Sequence, residues 1–596
     1  MKGIMSKKTS CHLILLGGTG ARCGEIFLHM CANGFFRGES VDIIHIDSDG
    51  HNGNYNAFWS LIQTYKECRE QYYIEGTPVP CFFRPKVSAK TCNPSEGMTT
   101  LLNLAKQGSP DADTSKSAEM LVKALFSEQE YNLQVTEGFF ARPSVGAAMF
   151  ATKIDELLRP LLEIIDEELN ALIDVRIFIV GSVFGGTGAA SLPTIAQYLK
   201  EKLFGASDDK NVRERLKIGC CMLLPYFTFL REDMGKAGES GEKDKVKIEA
   251  DKFTLKTKSA IEYYKELERL RKEPVFDALY ILGHDGHDIR GNYSIAGSKQ
   301  KNLPHIVEFY AAMSGVTFFE NRENCQGHFF ASISADRIDW TQMYKHSVCF
   351  FNFFVMMRFA LVMESLILEE LFERPAFPEA WRQKSRAKQI PWYYDFLDGK
   401  SQGLIGETLN NQLSNIHNYC KRYISWFATL IIADIKKENN PSTIKRGHLK
   451  KTGDPWEEED ELVDYLDLFD EEILLRQYEN ILIESGNLSR TFGSNGDMDD
   501  TYKAEGLALE RERKKRWQQN VDYIRRHSSH IAGKATETFE EREISFSDIW
   551  DRLNSMGFNF MNQNGRAFKN ISQSVSDTTE EGVRNLVNAV FIACMF

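Results

Sequence analysis

The sequence predicts an α/β protein built on a parallel sheet, followed by a mainly α-helical C-terminal half. Three observations carry this. Short apolar runs without a polar stripe recur at 11–16, 41–46, 175–180, 218–226 and 276–282, the pattern of strands covered on both faces. At 11–16 and 175–180 the run passes through a glycine turn directly into a helical pattern. Beyond Trp340 that rhythm stops, and helical spacing dominates 346–374, 401–438, 456–485 and 503–533.

Composition sets the bounds. A chain of 596 residues has room for about four units. Its 42% hydrophobic and 26% charged content is that of a soluble globular protein. The net charge of -12 argues against a general nucleic-acid or anionic-membrane binder. The 12 cysteines are scattered without zinc-ribbon spacing. No long apolar segment precedes the first glycines, so a secretory signal is not expected. The most apolar helix candidate, 348–368, is interrupted by Asn352, Arg358 and Glu364 and reads as a core helix, not a membrane span. The expected location is cytoplasmic.

Taken in order, the run 11–16 opens onto GGTGARCGEIFLHM, with a helix from near Cys23. Gly17, Gly18, Gly20 and Gly24 suit a diphosphate cradle, although their spacing is not that of the dinucleotide fingerprint. The run 41–46 ends in Asp47, Ser48, Asp49 and Gly50. An acidic strand end holds a ribose or magnesium, or caps the next helix; both readings stand. Residues 52–134 read as an insertion. In ARPSVG, Pro143, Ser144 and Gly146 sit at the mouth of a long amphipathic helix, with Ser144 as its cap and its amides available to a phosphate.

The stretch 175–200, VRIFIVGSVFGGTGAASLPTIAQYLK, reads as strand, glycine turn and helix. Glycine amides and a helix N-terminus make an anion site there; the plainer reading is a tight turn. A charged segment at about 228–256 follows the next strand and reads as a second, solvated insertion. The strand at 276–282 leads to His284, His287 and Asp288, a grouping too sparse for a metal site. A small-residue helix at 303–320 precedes a loop bearing Asp336 and Asp339. That pair either polarises a water or complements a helix dipole. In the helical half, WEEEDELVDYLDLFDEEILL is an acidic amphipathic helix suited to docking on a partner or on this chain.

The ordered set resembles the nucleotide-binding domain of the tubulin/FtsZ superfamily over residues 10–345. GARCGEI resembles the first phosphate loop, HIDSD the next strand end, and ARPSVGAA the terminal-phosphate loop. FIVGSVFGGTGAASLPTIA resembles the signature loop and its helix, ALYILGHD the base-side strand, VEFYAAM the central helix, and ISADRIDW the catalytic loop. The resemblance implies a Rossmann-like parallel sheet that binds GTP, or another purine nucleoside triphosphate, with Mg. The implied contacts are Gly18, Gly20, Arg22, Cys23, Gly24, Asp47, Ser144, Gly146, Gly185, Gly186, Thr187, Gly188, Ser191, His284 and Phe309, with Asp49 as a magnesium ligand. It further implies head-to-tail self-assembly into a filament or ring, in which Asp336 and Asp339 of one copy complete hydrolysis in the next.

This sequence departs from the family pattern at Ala189 and Ala190, which follow GGTG, at His284, where an asparagine is usual, and at Met313, where an acidic residue reads guanine. The alternative expectation is a nucleotide-sensing module with little hydrolysis, by analogy one of a bacterial conflict system. The helical half, 346–596, is then the place for a protein partner.

Overall fold

The computed structural model describes residues 9–50, 52–73, 82–97, 99–107, 111–204, 210–227, 253–269, 274–284, 304–320 and 327–333, and farther on 353, 356, 359, 360, 363, 413–420, 422, 423, 426 and 587. Its elements are β1 (Thr9–Leu16), α1 (Gly17–Ala32), β2 (Ser40–Ile46), α2 (Gly53–Tyr72), β3 (Lys86–Cys92), the short helices α3 (Leu101–Gln107), α4 (Ala112–Leu125) and α5 (Glu128–Tyr131), and the long α6 (Pro143–Asn170). There follow β4 (Asp174–Ser182), α7 (Thr187–Phe204), α8 (Lys210–Arg215), β5 (Leu216–Leu223), α9 (Phe253–Arg269), β6 (Ala278–His284), α10 (Ile306–Glu320) and β7 (Gly327–Ile333).

The strands form one seven-stranded sheet in the order β3-β2-β1-β4-β5-β6-β7, every pairing parallel. This is the α/β, Rossmann-like architecture expected from the buried apolar runs. Alternation along the strands divides two faces. Ile14, Ile44, Ile177, Ile179 and Ile218 pack with Leu158, Leu161 and Ile165 of α6 and Leu192 and Ile195 of α7. On the other face, Phe178 meets Phe318 of α10 with ring centroids 5.4 Å apart. Each such side chain, fully buried, contributes about 1.5–3 kcal/mol.

Two differences from the sequence expectation concern the sheet edges. Part of the stretch expected as an insertion at 52–134 is α2 and strand β3, which pairs with β2 from Ser40↔Lys86 to Ile46↔Cys92. Its sequence, KVSAKTC, is mostly polar, because an edge strand is covered less fully than a central one. Likewise GHFFASI, expected as loop, is the opposite edge strand β7. The helices α1 and α7 start earlier than expected, at Gly17 and Thr187, so their N-termini incorporate the glycine turns themselves.

The chain divides into two compact units. The sheet lies in the first, made of Met1–Leu28, Phe36–Ile62 and Pro85–Asp336; the second comprises His29–Phe35, Gln63–Arg84 and Arg337–Phe596. Within the second, Phe353, Met356, Phe359, Ala360 and Met363 are buried at helical spacing. There His29 stacks on Trp426 at 4.7 Å and Phe83 meets Tyr419 edge-on at 4.7 Å. The described residues beyond 346 are all helical. Of the charged insertion expected at about 228–256, residues 253–256 are the first turn of α9; its residues 228–252, with His287, Asp288, Asp336, Asp339 and the acidic C-terminal segment, lie outside the described residues. No helix among the described residues is long and apolar enough to cross a membrane.

Candidate functional site

The strand order reverses between β1 and β4, and in such a sheet the crevice at the carboxyl ends of those strands is where a ligand fits. A cleft among the described residues lies there. Its walls come from the β1–α1 turn, the end of β2, the loop before α6 and the glycine loop after β4. Helices α1 and α7 begin on it, with Gly17 to Thr19 and Thr187 to Gly188 among its lining. The first amides of a helix lack intrahelical acceptors, and its N-terminus carries partial positive charge. Two such ends on one cleft favour an anion.

Each turn is fixed by its own packing. Gly17 has φ of 69°, and its carbonyl accepts a hydrogen bond from Nε2 of His45 at 3.1 Å. Burial lowers that histidine's pKa to about 4, so it remains a neutral donor near pH 7. In the β4–α7 loop, a Cβ on Gly188 would stand 2.4 Å from the Ser182 carbonyl oxygen, so only glycine lets the turn close so tightly. Before α6, Phe140 and Ala141 are both left-handed, with φ of 46° and 54°. Non-glycine residues in that region cost energy that the surroundings must repay. Lys256 of α9 helps, donating to the Ala141 carbonyl at 2.9 Å.

Charge in the cleft is arranged as two carboxylates and a neutralised cation. Asp47 is 8% exposed and Asp49 5%. Burial, and then repulsion from Asp49, raises the Asp47 pKa to about 7. Thr187 Oγ1 donates to Asp47 Oδ1 at 3.0 Å. The guanidinium of Arg22 reaches the cleft wall but is engaged on its other side. Its Nε lies 2.5 Å from Glu308 Oε1, and it donates to the Tyr226 hydroxyl at 2.6 Å. Tyr226 also donates to Glu308. Burial opposes the charge on Arg22, but Glu308 and Tyr226 outweigh it and hold the pKa above its ordinary value. An aromatic wall completes the cleft, with Phe184 4.9 Å from Phe253 and 5.6 Å from Phe227 between ring centroids.

Of the residues expected at the site, Gly18, Arg22, Asp47, Asp49, Gly185, Gly186, Thr187 and Gly188 line this one cleft. The others are placed elsewhere. Gly20 and Gly24 serve the packing of α1 on β1: a Cβ would meet the Leu15 backbone at 2.8 Å and the Leu15 side chain at 2.4 Å, respectively. Cys23 is buried, and burial pushes its thiol well above the usual pKa, so it is an inert core thiol. Ser144 is exposed on the first turn of α6 and does not cap it. Gly146 lets α6 approach α7, its Cβ position 2.8 Å from Ala190 Cβ. Ser191 donates back to the Thr187 carbonyl at 2.6 Å. His284 ends β6 against His305, with ring centroids 5.4 Å apart. Phe309 is 1% exposed, so its ring offers no free face. Asp336 and Asp339 lie outside the described residues.

Asn52, Asn54, Phe139, Phe140, Ala141, Phe184, Phe227 and Phe253 also line the cleft and were not expected there. Only the aromatic density of GFFA and FGG hinted at them, and an aromatic pair beside a turn more often marks core. No protein-family model matches the chain, and no curated protein matches it.

Proposed function

We propose that the cleft binds a purine nucleoside triphosphate, GTP being the first candidate, together with Mg, and that the chain is a tubulin/FtsZ-like nucleoside triphosphatase that assembles head to tail. The observation that carries this reading is the convergence of the N-termini of α1 and α7 and the Gly185–Gly188 loop on one cleft that also holds Asp47 and Asp49. Amides and helix ends match phosphate oxygens. A magnesium ion fits the two carboxylates, because a divalent cation offsets both the burial and the Asp49 repulsion that raise Asp47, and hard oxygen donors suit it. Bound there, the ion neutralises phosphate charge as it develops.

The chain's own residues divide the remaining work. Thr187 fixes the Asp47 carboxylate. The aromatic wall of Phe184, Phe227 and Phe253 offers the apolar surface for a base that the buried Phe309 does not. Asp336 and Asp339 orient the attacking water in the neighbouring copy, on the resemblance described above. The protein works in the cytoplasm, with further copies of itself as its first partner and the helical half as the site for another protein.

A second reading, a nucleotide-dependent switch with little hydrolysis, is favoured by Ala189 and Ala190. Both are buried in the first turn of α7, and neither brings a hydroxyl where the resemblance implies one. Phosphate release measured against protein concentration separates the two. Turnover per subunit that rises with concentration, and falls sharply in Asp336→Ala and Asp339→Ala while binding persists, supports the triphosphatase. Turnover independent of both contradicts it.

A further inference from the structure

A second cluster of chemistry lies away from the cleft, near the start of the strands. His12 of β1, Asp42 of β2 and Glu168 of α6 bring one imidazole and two carboxylates together, with ligand atoms all within 4.8 Å of one another. His12 and Asp42 are register partners, and His12 lies four residues before the cleft-lining Leu16, roughly 13 Å along the strand.

The hydrogen bonds assign the ring. His12 Nε2 lies 2.8 Å from Glu168 Oε2, and an ionised carboxylate only accepts, so Nε2 carries the proton. Nδ1 is then the nitrogen turned toward Asp42. It has no hydrogen-bond partner in a side chain that is 0% exposed. Facing it at 3.7 Å is Asp42 Oδ2. A metal ion between Nδ1 and Asp42 Oδ2 would give the buried ring nitrogen the partner it lacks. The gap is too long for a shared proton, but close to the roughly 3.4 Å that separates two ligands of one tetrahedral ion with bonds near 2.1 Å.

We propose that His12 Nδ1 and the Asp42 carboxylate bind a divalent transition metal, zinc or manganese in class, with Glu168 as the positioning carboxylate behind the imidazole. A metal-bound histidine ordinarily donates its other N–H to such a carboxylate. The supporting partners are present: Ser10 donates to Glu168 Oε1 at 2.6 Å, and Ser88 donates to Asp42. The Asp42 side chain is 38% exposed, giving the ion an entry path and leaving water to complete its shell. An imidazole with carboxylate favours such metals over magnesium or calcium. Bound there, the ion ties β1 to β2, while Glu168 joins the end of α6 to the same group.

The test uses the full chain, stripped with chelator and kept in excess magnesium so that the cleft carboxylates are occupied. Zinc chloride and manganese chloride are then titrated by calorimetry, with melting temperature followed in parallel. One saturable equivalent that raises the melting temperature is expected. It should be lost in Asp42→Asn, weakened roughly 10- to 100-fold in Glu168→Gln, and retained in Asp47→Asn. Cobalt(II), added to the same protein, should show an imidazole-bound visible spectrum that disappears in Asp42→Asn. Absence of a saturable equivalent, or binding that Asp42→Asn leaves unchanged, overturns the proposal. Neither outcome bears on nucleotide binding at the cleft.

Discussion

Thr187, the first residue of α7, donates its hydroxyl to Asp47, the first residue past β2, at 3.0 Å. Two loops far apart in sequence are thereby held edge to edge at the mouth of the cleft. The bond also keeps a buried carboxyl oriented whose pKa has risen to about 7, mainly through burial and then through Asp49.

The sign of the resulting pH dependence is fixed. Between an unfolded value near 3.8 and a folded value near 7, the folded protein holds a proton that the unfolded chain has released. Stability of the nucleotide-free protein therefore falls as pH rises through that window, by on the order of 4 kcal/mol. Asp47→Asn should remove that component, which urea denaturation at a series of pH values measures as the difference between the two proteins. The same variant should bind nucleotide at least about tenfold more weakly when Mg is present. Thr187→Val should cost about 1 kcal/mol, because it removes the side-chain donor and leaves Asp47 with the Ser48 amide at 2.9 Å.

The Arg22–Glu308 pair predicts a large single-site effect. Glu308→Gln leaves a buried guanidinium with a neutral partner, at a cost of about 3–5 kcal/mol. Replacing both residues with methionine should recover most of that loss, since no charge then remains buried. Scanning calorimetry of the two variants checks this. A double variant less stable than Glu308→Gln would show that the network is worth more than its desolvation cost.

Gly188→Ala tests the glycine loop without touching charge. Its new Cβ would lie 2.4 Å from the Ser182 carbonyl and 2.9 Å from the Ser182 nitrogen, backbone atoms of β4 that cannot rotate away. The expected result is a loop displaced at a cost of about 1–3 kcal/mol, with nucleotide affinity lost. Gly50→Ala has nothing within 4 Å of its new Cβ and should behave as wild type, which makes it the control for both readouts.

The central strands were legible in the sequence because both faces are covered, leaving uninterrupted runs such as LILL in β1 and IFIV in β4. The edges β3 and β7 were not, because partial cover tolerates the polar residues of KVSAKTC and the mixed pattern of GHFFASI. The site was half legible for a related reason. A glycine forced by a ligand and one forced by packing look identical in sequence, and Gly24, against Leu15 and Phe58, is the packing kind. The left-handed turn at Phe140 and Ala141 left no trace, since neither residue type favours that backbone. Arg22 was anticipated as a phosphate contact, but nothing local to GARCGEI reveals Glu308, 286 positions away in the chain.

The central claim is that the cleft at the ends of β1 and β4 holds a purine nucleotide by its phosphates. The most direct measurement is mass spectrometry of the small molecules released when the purified protein is denatured, repeated after incubation with GTP or ATP and Mg. Wild type should release a purine nucleoside di- or triphosphate at close to one per chain, and Gly188→Ala should release none. A nicotinamide dinucleotide, or no nucleotide even after incubation, would contradict the claim.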